Sequence, residues 1–147
     1  MVTKRDDAIK RIFLDPTGCH LIVSTEGFDN YYVHINKDTP RVLTKLKNIE
    51  ICSVGWDIEN RDKYSTKEII IGTGDGKIYN LSIDSSSEKP ADKELPLKLL
   101  FTLDTQMEIS GLYWERTGRT PNSLFVIITT RNRIYQFVGD ETLEQLF

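Results

Sequence analysis

The segment Ile69-Ile-Ile-Gly-Thr-Gly-Asp-Gly-Lys-Ile-Tyr-Asn-Leu81 decides the fold, because it returns without a gap as Phe125-Val-Ile-Ile-Thr-Thr-Arg-Asn-Arg-Ile-Tyr-Gln-Phe137. Ahead of each copy stands a strand-like segment that ends in tryptophan, Ile51–Trp56 and Ile109–Trp114, and the offset is 58 residues at the tryptophans and 56 at the hairpins. A looser copy comes first, with Ile9–Leu14 followed by residues 20–35. Self-similarity at this period is typical of solenoids and propellers.

Runs of Ile, Val, Tyr, Phe and Thr bounded by Gly, Pro, Asn and Asp predict short strands and turns. We expect strands at 9–14, 20–24, 31–35 and 42–46, then at 51–56, 68–73, 77–83 and 97–103, and finally at 109–114, 124–129, 133–138 and 143–147. This order predicts an all-β fold, a partial WD40-like β-propeller of about three four-stranded antiparallel blades. One domain, 1–147, would hold blades at roughly 8–47, 50–104 and 108–147. Propellers close with typically about 4 to 8 blades, so three would leave the ring open.

Turn residues mark the hairpins. Asp15-Pro-Thr-Gly18 predicts a type I turn, with proline at the second position. Asp75-Gly76 predicts a tight hairpin in which both central residues take positive φ. Arg131-Asn132 stands at the matching place in the later copy, where Asn132 would tolerate the left-handed conformation.

Composition excludes several classes of function. A formal net charge of -3 and a pI near 5.4 argue against bulk binding of nucleic acid, which requires clustered basic residues. Cys19 and Cys52 stand in apolar strand contexts, which predicts free thiols in a reducing compartment, although a disulfide between them stays open. The N-terminus lacks the apolar stretch of a signal peptide, and the longest wholly apolar run, 124–128, is too short to cross a bilayer. A cytoplasmic protein is expected.

No catalytic, cofactor-binding or metal-binding residue is predicted, and no cofactor. The Gly72–Gly76 stretch resembles a phosphate loop, but it has neither Rossmann spacing nor a Walker lysine, so a hairpin is favoured. Asp15 lacks the parallel strand and partner motifs of a phosphorylated aspartate. His20, His34 and the two cysteines lack zinc-site spacing. The aspartate and glutamate residues are scattered along the sequence and do not form pairs. Trp56 and Trp114, at matching strand ends, are interpreted as inter-blade packing.

At four collinear segments the chain resembles a known family. These are Phe13–Ser24, Ser53–Trp56, Ile69–Tyr79 and Leu124–Gly139. Together they are similar to the N-terminal propeller of vacuolar protein sorting protein eighteen, the Deep-orange family of class C sorting proteins. The resemblance covers nearly the whole chain, apart from the serine-rich stretch Ser85–Glu94.

The resemblance implies a non-enzymatic scaffold or docking module of a HOPS/CORVET-type membrane-tethering complex. Such complexes act at endosomes and at the lysosome or vacuole before SNARE-driven fusion. Implied partners are the other class C subunits and, indirectly, SNARE and Rab machinery, with peripheral membrane association through the complex and no small-molecule substrate. The expected location is cytoplasmic, peripheral on the late endosome, lysosome or vacuole.

Two other functions stay open from the sequence. The first is a generic WD40-like adaptor in another pathway, and the second is a nucleotide-binding protein that uses Gly72–Gly76. If the chain acts by protein contacts, exposed loops are the expected contact elements. Glu59–Lys67 and Ser85–Glu94 are the two candidate loops.

Overall fold

The computed structural model describes residues 7–85, 97–118, 123–140 and 142–147. In these ranges the chain forms eleven strands and almost no helix. The strands are β1 Ile9–Leu14, β2 His20–Thr25, β3 Asn30–His34, β4 Arg41–Val42, β5 Ile51–Gly55, β6 Ile69–Thr73, β7 Lys77–Leu81, β8 Lys98–Thr102, β9 Gly111–Arg116, β10 Leu124–Thr129 and β11 Ile134–Gly139. A 3₁₀ helix covers Thr44–Leu46, and one α-helical turn, α1, covers Leu143–Leu146.

Among the described residues these strands build three antiparallel sheets, each formed by strands consecutive in the chain. Blade 1 has the order β1-β2-β3-β4, blade 2 the order β5-β6-β7-β8, and blade 3 the order β9-β10-β11. Within each blade, neighbouring strands are joined as hairpins, which keeps the pairing local. The predicted all-β class with antiparallel blades is confirmed.

The blades stack face to face through two apolar clusters, and the first strands of the blades meet along one side: β5 contacts both β1 and β9. Strand β6 shows how one strand serves two interfaces. Ile69 and Ile71 belong to the cluster between blades 1 and 2, whereas Ile70 belongs to the cluster between blades 2 and 3. All three are fully buried. Because side chains alternate along a strand, a continuous apolar run supplies both faces of a covered sheet.

The gapless alignment of the two hairpin segments is wrong by one residue for β6 and β10, the strands with which the two hairpins begin. Ile71 pairs with Tyr79, but Tyr135, the counterpart of Tyr79, pairs with Ile128 and not with Ile127. The hairpin loops differ in length, since residues 74–76 join β6 to β7 and residues 130–133 join β10 to β11. A shift of one residue turns a strand over. Ile127 therefore corresponds to Ile70, and Ile128 to Ile71.

The turn at Asp15–Gly18 forms as predicted, with the Gly18 amide donating to the Asp15 carbonyl at 3.0 Å. The prediction for Asp75-Gly76 is wrong in detail, because only Gly76 has positive φ, at 82°. The three-residue loop needs a single left-handed residue after its turn. Asn132 is not left-handed either, since the Thr130 amide instead closes the longer loop on the Arg133 carbonyl.

Two expected strands are replaced by helical turns. The strand expected at 42–46 ends at Val42 and gives way to the 3₁₀ helix. The strand expected at 143–147 is α1, which begins at a capping box formed by Thr142 and Gln145. That motif satisfies two backbone amides locally, so a helical start is favoured over an extended one. Among the described residues, blade 3 therefore has three strands, and α1 with Phe147 packs over the seam between blades 2 and 3.

Candidate functional site

The loop between β5 and β6, residues 57–68, is tied to all three blades and is the strongest candidate for a contact site. Its first anchor lies on blade 1. His20 is fully buried and its Nε2 donates to the Asp62 carbonyl at 3.0 Å, while Nδ1 lies 2.6 Å from the Tyr32 hydroxyl. Burial raises the pKa of Tyr32 to about 12, so this phenol stays protonated.

His34 is the second anchor and lies next to the first, with the two imidazole centroids 5.6 Å apart. Its Nε2 donates to the Lys63 carbonyl at 2.5 Å, and its Nδ1 accepts from the Asn36 amide at 3.1 Å. The imidazole also stacks on Tyr64, with centroids 5.9 Å apart and planes 14° apart. From the sequence the two histidines are considered only as zinc ligands, and this role is missed because the residues joined lie about 30 to 40 positions apart.

The loop is also braced from within. The Asp62 carboxylate accepts from the amides of Tyr64 at 2.8 Å and Ser65 at 3.2 Å. These bonds to the charged form, above all the one from Tyr64, lower the pKa of Asp62. Asn60 donates to the Ser65 carbonyl at 2.9 Å and is itself buried. The loop is therefore a fixed element of the fold rather than a free connection.

Blade 3 supplies the third anchor through Arg116 on β9. Its guanidinium donates to both carboxylate oxygens of Asp57, at 2.9 and 3.2 Å, and lies 5.2 Å from the Trp114 ring centroid. The paired carboxylate raises the pKa of Arg116. Asp57 is buried, so the two-point contact provides the compensation that a buried charge needs.

What the loop offers to solvent is a mixed polar surface with one aromatic side chain. Tyr64 is 55 % exposed although its amide and carbonyl are both bonded within the fold. The same loop also exposes five charged residues: Glu59, Arg61, Lys63, Lys67 and Glu68. An open groove beside the loop carries both signs of charge. Such a surface suits recognition of another protein, since a fixed aromatic side chain costs little entropy on binding.

The second expected contact loop, Ser85–Glu94, lies outside the described residues except for Ser85. That residue is buried, and its amide and hydroxyl both donate to the Tyr64 carbonyl, at 2.7 and 2.8 Å. Ser85 therefore supports the first loop.

The glycine-rich hairpin is built for packing. A Cβ on Gly72 would lie 2.5 Å from Ile109 Cγ2 and 2.5 Å from Ser53 Oγ. The Gly74 amide donates to the Glu50 carbonyl at 3.0 Å and the Gly76 amide to the Thr73 carbonyl at 3.4 Å. A phosphate loop needs free amides. The observed bonds argue against nucleotide binding here.

Structure brings together three groups that looked scattered in the sequence: Glu50, Cys52 and Glu108, whose side-chain oxygen and sulfur atoms lie within 4.8 Å of one another. Arg11 already pairs with both carboxylates, at 3.6 and 3.3 Å. Burial, reinforced by the nearby Glu50 carboxylate, raises the pKa of the Cys52 thiol to about 12. A protonated thiol beside two carboxylates that already pair with Arg11 is a poor metal ligand. Both cysteines are free thiols, as expected.

The tryptophans pack between blades, as predicted. Trp114 is buried and its Nε1 donates to the Gly55 carbonyl at 3.0 Å, across the interface of blades 2 and 3. Gly55 is required here because a Cβ would lie 3.1 Å from the indole and 2.7 Å from Ile70. Trp56 packs against the cluster between blades 1 and 2.

Comparison with known proteins identifies the relatives of this arrangement. Residues 1–147 match the family described as the Pep3/Vps18/deep orange β-propeller domain. Among curated proteins, the chain is 31 % identical over 147 residues to vacuolar sorting protein 18 of Arabidopsis thaliana, covering 97 % of this chain. It is 30 % identical over 141 residues to the vacuolar protein sorting-associated protein 18 homolog of Danio rerio, covering 92 % of this chain.

The chain spans 14 % of the length of each of these two relatives. Among solved structures, the WD40 domain of SCAP from fission yeast aligns with a TM-score of 0.49 and 14 % identity, over 90 % of this chain and 29 % of that one. In the ranges that the structure describes, no helix has both the length and the apolar character that crossing a bilayer requires.

Proposed function

The chain belongs to the Pep3/Vps18/deep orange β-propeller family, and from that premise we propose that it is a non-enzymatic docking module of a HOPS/CORVET-type tethering complex. In this role it holds other class C subunits in position during traffic from endosomes to the lysosome or vacuole. It reaches the cytoplasmic face of those membranes peripherally, through the complex. The match over the whole chain and the sorting proteins among its relatives support this function.

The rigid loop at residues 57–68 allows the proposal to name the residues that make the contact. Tyr64 combines an exposed ring with a backbone bonded on both sides. Aromatic residues of this kind dominate binding energy at protein interfaces, and a rigid loop loses little freedom on docking. We assign Tyr64 as the central contact and the surrounding charges as the rim.

Affinity capture with the tagged chain tests this assignment in cells that express the class C subunits. We expect the unmodified chain to recover those subunits and Tyr64→Ala to recover at least about tenfold less, in line with about 1.4 kcal/mol or more for one interface anchor. Ile134→Ala is the matched control, because Ile134 is 76 % exposed on β11 and lies at the end of blade 3 opposite Arg116, the residue of that blade that binds the loop. It should bind like the unmodified chain.

Two outcomes would contradict the proposal. Recovery of a cullin or a kinase scaffold in place of class C subunits would favour the alternative, a WD40-like adaptor in another pathway. Equal loss of class C subunits with both variants would show that the loop is not the contact site.

A further inference from the structure

Two buried histidines, one on β2 and one on β3, hold the same loop from adjacent positions. His20 and His34 lie directly opposite each other in the strand pairing, and their exposed fractions are 0 % and 2 %. Their Nε2 atoms bond the consecutive carbonyls of Asp62 and Lys63. The two rings therefore act together on the part of the loop that carries Tyr64, and we call the pair the imidazole clamp. They are the two histidines of the whole sequence.

The partners of the four ring nitrogens require both rings to be neutral. A carbonyl can only accept, so each Nε2 carries a hydrogen. The Asn36 amide can only donate, so Nδ1 of His34 carries none. Nδ1 of His20 accepts from the Tyr32 hydroxyl, which keeps its proton because burial raises the pKa of this phenol to about 12. Each ring thus uses one donor and one acceptor, a combination that only uncharged imidazole provides.

Two carboxylates near the imidazole clamp are engaged elsewhere. The Asp62 carboxylate accepts from two loop amides and lies 3.5 Å from the Lys67 ammonium. The Asp15 carboxylate accepts from three backbone amides, one of them that of His20. The other titratable side chains around the clamp are Tyr32, Arg41, Lys63, Tyr64 and Asp84. Since the ring nitrogens bond two carbonyls, an amide and a phenol, no anion is in place to balance an imidazolium.

Protonation of the rings conflicts with this arrangement. A proton added to Nδ1 of His34 would point at the Asn36 amide, and the bond between them would be lost. A proton on His20 as well would place two positive charges on buried rings whose centroids are 5.6 Å apart. Water can solvate the charged rings only where the loop carbonyls leave the two Nε2 atoms. The loop is therefore the part of the structure that must move.

We propose that the imidazole clamp is a pH-sensitive switch, which holds residues 62–65 on blade 1 while both histidines are neutral and releases them on protonation. Imidazole is the side chain that changes charge between about pH 5 and 8. The clamp is complete at neutral pH and is lost as the pH falls, because the released state binds more protons. Release ends the rigid presentation of Tyr64. The switch depends on contacts within the fold and does not rest on the proposed function.

Hydrogen exchange of the unmodified chain from about pH 7.5 to about pH 5 tests the switch, with each rate divided by that of an unstructured peptide at the same pH. One additional proton in the released state shifts the equilibrium by up to about tenfold per pH unit. We therefore expect protection of the Tyr64 and Ser65 amides to fall at least about tenfold, while β10 keeps its protection. The pKa of Asp62, which binds these amides, is lowered, so its carboxylate stays ionised throughout.

A double variant, His20→Gln with His34→Gln, removes both titrating groups and leaves side-chain amides that can donate to the two carbonyls. Its loop protection should not change over the same pH range. Glu68→Gln is the matched control, because it removes an exposed carboxylate of the same loop, and it should keep the pH dependence of the unmodified chain.

Nuclear magnetic resonance of the ring carbons of the unmodified chain reports imidazole protonation directly, so the test stands even where the double variant does not fold. Loss of loop protection that follows the protonation of the rings supports the switch. Protonated rings with an unchanged loop would overturn it, and so would rings that stay neutral throughout the range. A pH-dependent loss that persists in the folded double variant would also overturn it.

Discussion

At the scale of single residues, the glycines mark where one blade approaches the next. Gly72 lies on β6 against Ile109, whose amide donates to the Thr73 carbonyl at 3.1 Å and whose carbonyl accepts from Ser53 Oγ at 2.9 Å. These bonds fix the position of Ile109, so it cannot move aside for a larger neighbour. The interface between blades 2 and 3 therefore requires a residue without a side chain at position 72.

Gly72→Ala should lower the free energy of unfolding by about 1–3 kcal/mol, the usual cost of overpacking a fixed core. Gly74→Ala is the control, because its Cβ would lie 3.1 Å from the Glu50 carboxylate, the movable end of a flexible side chain. Urea unfolding of both variants measures the difference. Equal losses would show that the Ile109 contact is not what requires glycine.

Cys52 should resist alkylation in the folded chain between pH 7 and 9. Its pKa is raised to about 12, so the reactive thiolate is disfavoured in the native state. The stability that the raised pKa of Cys52 contributes to the fold is complete below the unfolded pKa of about 8.5 and is lost as the pH rises toward the folded value. Mass spectrometry of iodoacetamide labelling, with and without urea, measures protection. Equal labelling rates in both conditions would contradict it.

At the scale of elements, the loop at residues 57–68 is held by side chains from blades 1 and 3. Its bonds to His20, His34 and Arg116 all come from other blades. A loop with so many external partners is expected to move little relative to the sheets. This rigidity is what suits it to act as a contact element.

His34→Phe should loosen the loop while keeping an aromatic ring on Tyr64. The change removes the donor to the Lys63 carbonyl and the acceptor for the Asn36 amide, at a cost of about 1–3 kcal/mol for the groups left unbonded. Hydrogen exchange should accelerate at the amides of residues 62–65 and stay unchanged in β10. Unchanged exchange in the loop would show that Asp57 and His20 suffice to hold it.

At the scale of the whole molecule, the Arg11 side chain connects the segments with which the three blades begin. Arg11 on β1 lies 3.6 Å from a Glu50 carboxylate oxygen, ahead of β5, and 3.3 Å from one of Glu108, ahead of β9. One residue thus links segments that open all three blades. Solvent reaches all three side chains, so screening limits the strength of this link.

Arg11→Met should lower stability by about 1 kcal/mol or less, with a smaller effect at high salt. Adding Glu108→Gln should recover part of the loss, because it removes repulsion between the two carboxylates. Urea unfolding at low and high salt compares the variants. A loss that salt does not reduce would show that Arg11 acts through the packing of its aliphatic stem.

Much of the fold followed from local pattern. Ile69–Ile71 predicts a strand because every residue is apolar and β-branched, and Asp15–Gly18 predicts its turn from residue types alone. The capping box at Thr142 and Gln145 was also present in the sequence and indicates the helical turn that replaced the last strand. The one-residue error in the repeat arose because a gapless overlay ignores a difference in loop length.

The sequence by itself determined most of the strands, their hairpin partners and the family, because these depend on neighbours along the chain and on the period of apolar residues. Only the tertiary structure decided that His34 holds Lys63, that Arg116 holds Asp57, and which apolar faces stay uncovered. Those contacts join residues 29 and 59 positions apart. Their geometry is set by how rigid sheets stack, and alternation along a strand carries no information about that.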